Sequence, residues 1–258
     1  MYAIITGASS GIGKELARCL LSRLDLILVA RNEDKLKELT KEYNRLSLRH
    51  RYHHKVTYYV CDVSDTSECE KLYEKYKDYD VQILINNAGS GVFGEFADND
   101  YKKELNSLTT NVIGPYVLTK LFLGEMLAKN RGYIMNVASS AGYMPGSPDM
   151  AVYYASKAFV LNMTRAIVKE ESVKDSNVYI SALCPGPVAT GFNENAGIHT
   201  QAKGMKARKL AKYAIKKMYD GYEIILPGFV VKATYAARKV IPDELLLTIA
   251  GKWQEKKK

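Results

Sequence analysis

Cysteine is scarce in this 258-residue chain, and the four present (Cys19, Cys61, Cys69 and Cys184) form no Cys-x-x-Cys pair. Neither the cysteines nor the four histidines fall at zinc-ligand spacing. A disulfide framework and a structural metal are therefore excluded as organising devices, and no metal is expected in the site. With 47% hydrophobic residues, the core is large enough to do without such staples. The thiols read as reduced cysteines of a cytoplasmic protein. No apolar run approaches the roughly 18 residues that a membrane span needs. The chain opens Met1-Tyr2-Ala3-Ile4-Ile5-Thr6 and runs at once into a glycine loop, which leaves no room for a cleavable leader. Repeats, low-complexity tracts and Pro/Gly linkers are also missing, so one domain over residues 1–258 is expected.

Acidic charge is lacking at one end only. Residues 201–258 hold 14 Lys/Arg against 5 Asp/Glu, which accounts for the whole net charge of +9. Residues 1–200 hold 23 of each sign. A basic end can attract nucleic acid, a membrane surface or an acidic substrate. The ordinary reading is a solvated, lysine-rich surface helix. No recognition module or basic-aromatic platform supports nucleic acid as a partner.

Short apolar runs lie at 2–5, 26–30, 56–61, 82–85, 133–137, 178–183 and 223–226. They are rich in Ile, Val, Leu and Tyr and have the length of strands. Amphipathic helical patterns at 12–22, 33–48, 65–79, 100–129, 151–171 and 207–220 separate them. That alternation predicts an α/β fold: a doubly wound parallel sheet of about seven strands with helices on both faces. The end of the chain, 228–258, reads as a helical tail broken at Pro242.

The first strand runs into Thr6-Gly7-Ala8-Ser9-Ser10-Gly11-Ile12-Gly13, with a helix next. Glycines let the backbone turn tightly and carry its N–H groups close to a phosphate. The following helix start adds the positive end of a dipole. A glycine motif alone is weak evidence, and its place between first strand and first helix is what strengthens it.

The form Thr-Gly-x-x-x-Gly-x-Gly resembles the cofactor loop of the short-chain dehydrogenase/reductase family, and further family marks follow in order. They are Asp62-Val63, Asn86-Asn87-Ala88-Gly89, Asn111, Ser139-Ser140, Tyr153-x-x-x-Lys157, and Pro185-Gly186 with Thr190. The resemblance covers nearly residues 1–195 and implies a Rossmann-type fold with a nicotinamide cofactor. It implies cofactor contacts by Gly7, Ser9, Ser10, Gly11, Ile12 and Gly13, by Asp62 and Val63 at adenine, and by Asn87, Ala88 and Gly89. Pro185, Gly186, Val188 and Thr190 would bend over the nicotinamide. Relatives are commonly dimers or tetramers, so a homo-oligomer is expected.

The acidic residue that would bind a ribose 2′-hydroxyl belongs at the end of the second strand. Here the chain reads Leu28-Val29-Ala30-Arg31-Asn32. Arg31 offers a permanently charged fork suited to a 2′-phosphate, and NADP(H) is the expected cofactor. The plainer role for Arg31 is to cap a turn or pair with Glu33.

With 19 tyrosines and 27 lysines, the pattern Tyr-x-x-x-Lys occurs five times, at Tyr73, Tyr116, Tyr153, Tyr213 and Tyr235. Most of these are simply neighbours on helix faces. Tyr153 is selected by its company, since it lies 13 residues after Ser140, which follows an apolar strand. Carbonyl reduction needs hydride on carbon and a proton on oxygen. Tyr153 can donate that proton, and Lys157, one helical turn on, is expected to lower its pKa; the family resemblance implies that Lys157 also holds the nicotinamide ribose. Ser140 is expected to hydrogen-bond the substrate oxygen. Asn111 resembles the family asparagine that holds a water in the proton path; its plainer role is a helix kink.

Residues 191–206 are expected to form a mobile substrate lid, with Phe192 and Ile198 facing an apolar substrate or simply packing, and with His199 at the surface. The tail from Gly228 to Trp253 and Gln254 resembles a ketoacyl-reductase-like branch of the family and points weakly to an apolar carbonyl compound. Packing or oligomerisation is its ordinary role, and contact with a membrane surface is the alternative. The expected function is an NADP(H)-dependent reductase of an apolar ketone or ketoacyl compound. The alternatives are an NADP-binding redox sensor without turnover and an epimerase or dehydratase of the larger family.

Overall fold

The computed structural model describes residues 1–198 and 204–255. The first half alternates strictly: β1 (Tyr2–Thr6), α1 (Gly11–Leu20), β2 (Asp25–Ala30), α2 (Glu33–Arg49), β3 (Val56–Val60), α3 (Thr66–Tyr76) and β4 (Val81–Asn86). Then come α4 (Tyr101–Leu108), α5 (Gly114–Ala128), β5 (Gly132–Val137), α6 (Ala151–Ile167), the single turn α7 (Glu171–Lys174) and β6 (Val178–Leu183). The last part holds β7 (Val188–Ala189), α8 (Phe192–Asn195), β8 (Met205–Lys206), α9 (Ala207–Tyr219), β9 (Ile224–Ile225), α10 (Phe229–Ala237) and α11 (Asp243–Glu255).

Seven strands form one parallel sheet in the order β3-β2-β1-β4-β5-β6-β9, as the alternation predicted. The inner strands are buried on both faces, which is why they read as unbroken apolar runs and not as alternating ones. On one face Leu16, Leu20, Leu36 and Leu210 pack on Ile5, Leu28 and Met135. On the other, Leu72, Leu118, Phe122 and Met126 pack on Ile4, Leu84 and Ile134. The helical period delivers these contacts. In α9, for instance, Leu210, Ala211, Ala214, Ile215 and Met218 form one buried stripe. A smaller cluster of Tyr143, Val160, Leu161, Cys184 and Val231 ties α6 to α10.

The chain reverses its winding direction between β1 and β4, so the loops leaving these strands diverge and open a crevice at their carboxyl ends. Two buried asparagines hold this end of the sheet together. Asn86 Nδ2 donates to Asn136 Oδ1 at 2.8 Å and to Thr119 Oγ1 at 3.0 Å, and Asn136 Nδ2 donates to Thr164 Oγ1 at 3.0 Å. The polar ladder pins α5 and α6 to β4 and β5.

Some boundaries differ from the expected ones. The helix expected over 100–129 contains a π-helical turn at Thr109–Ile113, between α4 and α5. Pro115 has no N–H to give the Asn111 carbonyl, so the ladder slips by one residue and the Gly114 N–H bonds Thr109 instead. The helix expected to reach 171 stops at Ile167, and the last strand is only two residues long, pairing with Ala182 and Leu183.

Candidate active site

The glycine loop after β1 is built for close approach. Gly7 and Gly11 hold φ of +62° and +54°, which side-chain-bearing residues rarely adopt. A Cβ on Gly13 would run into the Gly7 carbonyl and the Asn87 side chain. Gly13 therefore lies beneath the cleft and lets α1 press against the loop, while Gly7, Ser9, Ser10, Gly11 and Ile12 line the cleft itself. The α1 N-terminus has no side-chain cap and no acid in its first turn. Its dipole and first N–H groups are left for an anion.

Thr6 staples this loop to the one after β4. Its Oγ1 accepts from the N–H groups of Asn87 and Ala88, both at 3.0 Å. Asn87 Nδ2 donates back to the Thr6 and Gly7 carbonyls at 3.0 and 3.3 Å. Asn87 lines the cleft, but its amide is spent on holding the two loops together.

A cavity of about 370 Å³ runs along this wall, bounded by the glycine loop, Arg31, Asp62, Val63, Ala88 and Gly89. Arg31 pairs with Asp62 at 3.5 Å and not with Glu33, which pairs with Lys37 at 3.1 Å. The Arg31 side chain is 66% exposed, so the pair is weak and easily exchanged for a stronger anion. Lys35 lines the same cavity. The sequence reading passed over it, because α2 was read only for its amphipathic period.

A second cavity of about 500 Å³ adjoins the first, sharing Ile12, Asn87, Gly89, Thr190 and Phe192 with it. Ser139, Ser140, Tyr153, Lys157, Pro185, Gly186 and Val188 line it, among mostly apolar neighbours. The segment after β6 bends over both cavities. A Cβ on Gly11 would come within 3.2 Å of the Thr190 methyl, so the start of the lid sits against the glycine loop.

One serine differs from expectation. Ser139, not Ser140, is the serine close enough to the Tyr153 hydroxyl to favour its ionised form. Ser139 is the last extended residue, at φ −170° and ψ 165°, and Ser140 opens a short 3₁₀ turn ending at Tyr143. Neighbours in extended chain point to opposite sides, and Ser140 is turned so that its N–H meets the Pro185 carbonyl at 2.8 Å. Counting 13 residues back from Tyr153 reaches Ser140, which lines the same cavity, whereas the serine beside the Tyr153 hydroxyl is Ser139.

Lys157 is 5% exposed, and its Nζ donates to the Val137 carbonyl at 2.9 Å. Burial pushes its pKa down to about 8. The Nζ lies 5.9 Å from the centre of the Tyr153 ring. The expected lowering of the Tyr153 pKa is absent here: burial raises it to about 12, and the Ser139 hydrogen bond opposes that only in part.

Asn111 does not line either cavity. It is fully buried in the π turn, and its amide is occupied. Oδ1 accepts from the Ser90 N–H at 3.0 Å; Nδ2 donates to the Ser90 carbonyl at 2.8 Å and to Ser156 Oγ at 3.1 Å. Ser156 Oγ in turn donates to the Tyr153 carbonyl at 2.7 Å. Asn111 thus fixes the loop after Gly89 and the first turn of α6 together. Gly89 leaves the room, since its Cβ would stand 2.9 Å from Asn111 Oδ1 and 3.3 Å from Lys157 Nζ.

The expected lid is anchored on both sides. Phe192 lies 5.4 Å from the Tyr153 ring, centre to centre. Ala196 and Ile198 pack on Met150, and β8 pairs with β7. His199 lies outside the described residues. Gln254, Tyr154 and Met150 also line the larger cavity, and spacing alone had not placed them there.

Residues 1–201 match the family model described as short chain dehydrogenase. The very-long-chain 3-oxoacyl-CoA reductase of Neurospora crassa is 35% identical over 198 residues, which are 75% of this chain and 58% of that protein. The chain thus spans less than two thirds of that relative's length. The NADP-dependent 3-hydroxy acid dehydrogenase of Schizosaccharomyces pombe is 35% identical over 200 residues, 74% of this chain and 72% of its own. Among solved structures, a short-chain dehydrogenase from Sphingobium yanoikuyae in complex with NADPH superposes with a TM-score of 0.82. It is 27% identical and covers 92% of each chain. The chain belongs to the short-chain dehydrogenase family.

Proposed function

We propose that this member of the short-chain dehydrogenase family is an NADP(H)-dependent oxidoreductase that reduces an apolar ketone or ketoacyl compound to the alcohol. The observation that carries the reading is the contact of Ser139 with Tyr153, with Lys157 beside them, at the end of a cleft continuous with the open α1 N-terminus. The cradle fits a dinucleotide: two left-handed glycines, a third with no room for a Cβ, and helix N–H groups facing the cleft. Arg31 and Lys35 would hold a 2′-phosphate. The printed names of the fission-yeast relative and the NADPH complex support that choice.

The bound cofactor supplies the hydride. Everything else falls to the chain. Tyr153, with its pKa near 12, keeps its proton at neutral pH and gives it to the substrate oxygen as that oxygen becomes basic. Ser139 hydrogen-bonds the same oxygen while its charge grows. Lys157 spends one of its three donors on Val137 and can turn the others toward the nicotinamide ribose. Asn111 acts one step back, by holding the first turn of α6 that carries Tyr153. Pro185, Gly186, Val188 and Thr190 cover the nicotinamide end. The four cysteines are free, which fits a reducing, cytoplasmic compartment. Among the described residues no helix is long and apolar enough to cross a membrane. Tyr101, Leu105 and Leu108 form an exposed apolar stripe on α4, with Tyr116 and Phe159 also exposed on the neighbouring helices. Such a face supports association of two copies of the chain.

The test is NADPH oxidation against a panel of aldehydes, diketones, ketoacyl thioesters and bulky ketones, with Tyr153→Phe alongside. The variant is expected to lose about 10²–10⁴-fold in turnover while its NADPH binding, read by fluorescence, stays near wild type. A Tyr153→Phe enzyme that keeps most of its rate refutes the assignment.

A further inference from the structure

One wall of the larger cavity comes from α11, beyond the residues that the family model matches. This helix docks on the segment between β5 and α6: Gly251 meets Pro148, and Leu247 reaches Gly146. Leu246, Ala250 and Gln254 are spaced by one helical turn, share one face and are 6%, 9% and 1% exposed. Packing alone would place a third apolar residue at the end of that stripe. Gln254 stands there instead. Its side chain lies beside the Tyr154 hydroxyl, and its Oε1 is buried without a hydrogen-bond partner among the described residues. Native proteins leave few such atoms, and each calls for a physical reason.

The surroundings narrow what the amide can receive. Its neighbours on the cavity wall include Met150, Phe192 and Ile198, and Lys157 is the only charged side chain among the described lining residues. A phosphate or carboxylate would find no counter-charge beside Gln254. A neutral hydrogen-bond donor finds an unpartnered acceptor in the Gln254 Oε1. The Tyr153 and Tyr154 rings are 6.3 Å apart, centre to centre. Besides the polar residues near Tyr153 and Ser139, with Ser140 and Asn193 also on the lining, the cavity therefore offers a polar point at Gln254.

We propose that Gln254 determines substrate specificity by accepting a hydrogen bond from a hydroxyl group that an otherwise apolar ketone carries away from its reacting carbonyl. The proposal rests on the reading of this cavity as a site of carbonyl reduction. Two fixed polar points would orient the ketone and so select one face of the carbonyl for hydride.

The test compares kcat and KM for rigid cyclic ketones in matched pairs, with and without a hydroxyl at varied ring positions. It uses the full chain as wild type, Gln254→Leu and Gln254→Met. Wild type is expected to favour the hydroxylated member of at least one pair by about tenfold in kcat/KM, or about 1.4 kcal/mol. Both variants should lose that preference, keep the rate on the unhydroxylated member and melt no lower than wild type. An unchanged preference in the variants overturns the proposal. So does an equal loss on both members, with or without a lowered melting temperature, because it assigns Gln254 a structural role. Wild type that turns over pairs without any preference also overturns it. If wild type binds NADPH but reduces no ketone of either kind, the reductase reading itself falls, and this inference with it.

Discussion

Replacing each serine of the Ser139-Ser140 pair by alanine separates two residues that are adjacent in the chain and differ in geometry. Ser139 contacts the Tyr153 hydroxyl, where the substrate oxygen is proposed to sit. Removing a donor aimed at a developing oxyanion costs about 10²–10³-fold in turnover, and Ser139→Ala should fall in that range. Ser139 Oγ also accepts the Ala141 N–H at 3.2 Å, so the variant should lose about 1 kcal/mol of stability as well. Both losses follow from one side chain but are read by different instruments: steady-state NADPH oxidation and thermal melting. The Ser139 hydrogen bond opposes the burial that raises the Tyr153 pKa. In the alcohol-oxidising direction, where Tyr153 must accept a proton, the rising limb of the rate profile should therefore move to still higher pH in Ser139→Ala. Ser140 makes its fixed contact through the backbone, N–H to the Pro185 carbonyl, and alanine keeps that bond. Ser140→Ala should stay within about threefold of wild type, the scale of a surface change of about 0.5 kcal/mol. A Ser140→Ala enzyme as slow as expected for Ser139→Ala, beside a fast Ser139→Ala, would falsify the assignment.

Arg31→Asp should raise KM for NADPH by about 10–100-fold, the scale of lost charge-assisted hydrogen bonds, with little change for NADH. Equal changes for the two cofactors would remove the 2′-phosphate role. Lys157→Met tests burial of the ammonium. The folded-state pKa of about 8 lies below the ordinary lysine value of 10.5, so burying the charge costs stability below pH 8, and that cost fades as pH rises from about 8 to 10.5. The variant should therefore be inactive yet more stable than wild type at pH 7, by about 1–3 kcal/mol, with the gap closing over that window. A gap that widens with pH reverses the sign of the reasoning. Gly13→Ala puts a methyl group against the Gly7 carbonyl and the Asn87 amide. Backbone cannot yield there cheaply, so a stability loss of about 1–3 kcal/mol and weaker NADPH binding are expected from melting curves with and without cofactor.

Much of this molecule is determined locally. Unbroken apolar runs such as Ala3–Ile4–Ile5 and Leu26 through Ala30 can only be strands buried on both faces, and the helical stripes between them require layers on either side. The seven-stranded parallel sheet follows from that alternation, because each parallel crossover needs a helix to return the chain. The glycine loop was legible for a similar reason: positive φ at Gly7 and Gly11 is a property of the residue type in a tight turn. Tyr153 and Lys157 share a helix face by spacing alone.

The tertiary structure decided what depends on direction and on burial. Ser139 and Ser140 look interchangeable in a string, and both line the cavity, but Ser139 is the one beside the Tyr153 hydroxyl while Ser140 opens a 3₁₀ turn. The sign of the Tyr153 pKa shift was misjudged because proximity to a lysine is visible in spacing and desolvation is not. Asn111 is tied through its amide to Ser90 and Ser156, residues 21 and 45 positions away, partners that no local spacing reveals. Gln254 reaches the cavity only because α11 folds back over Gly146 and Pro148, more than 100 residues earlier in the chain. Periodicity and turn chemistry act over a few residues and can be read in order. The orientation of a side chain, its access to water and its partners across the chain exist only once distant segments have packed.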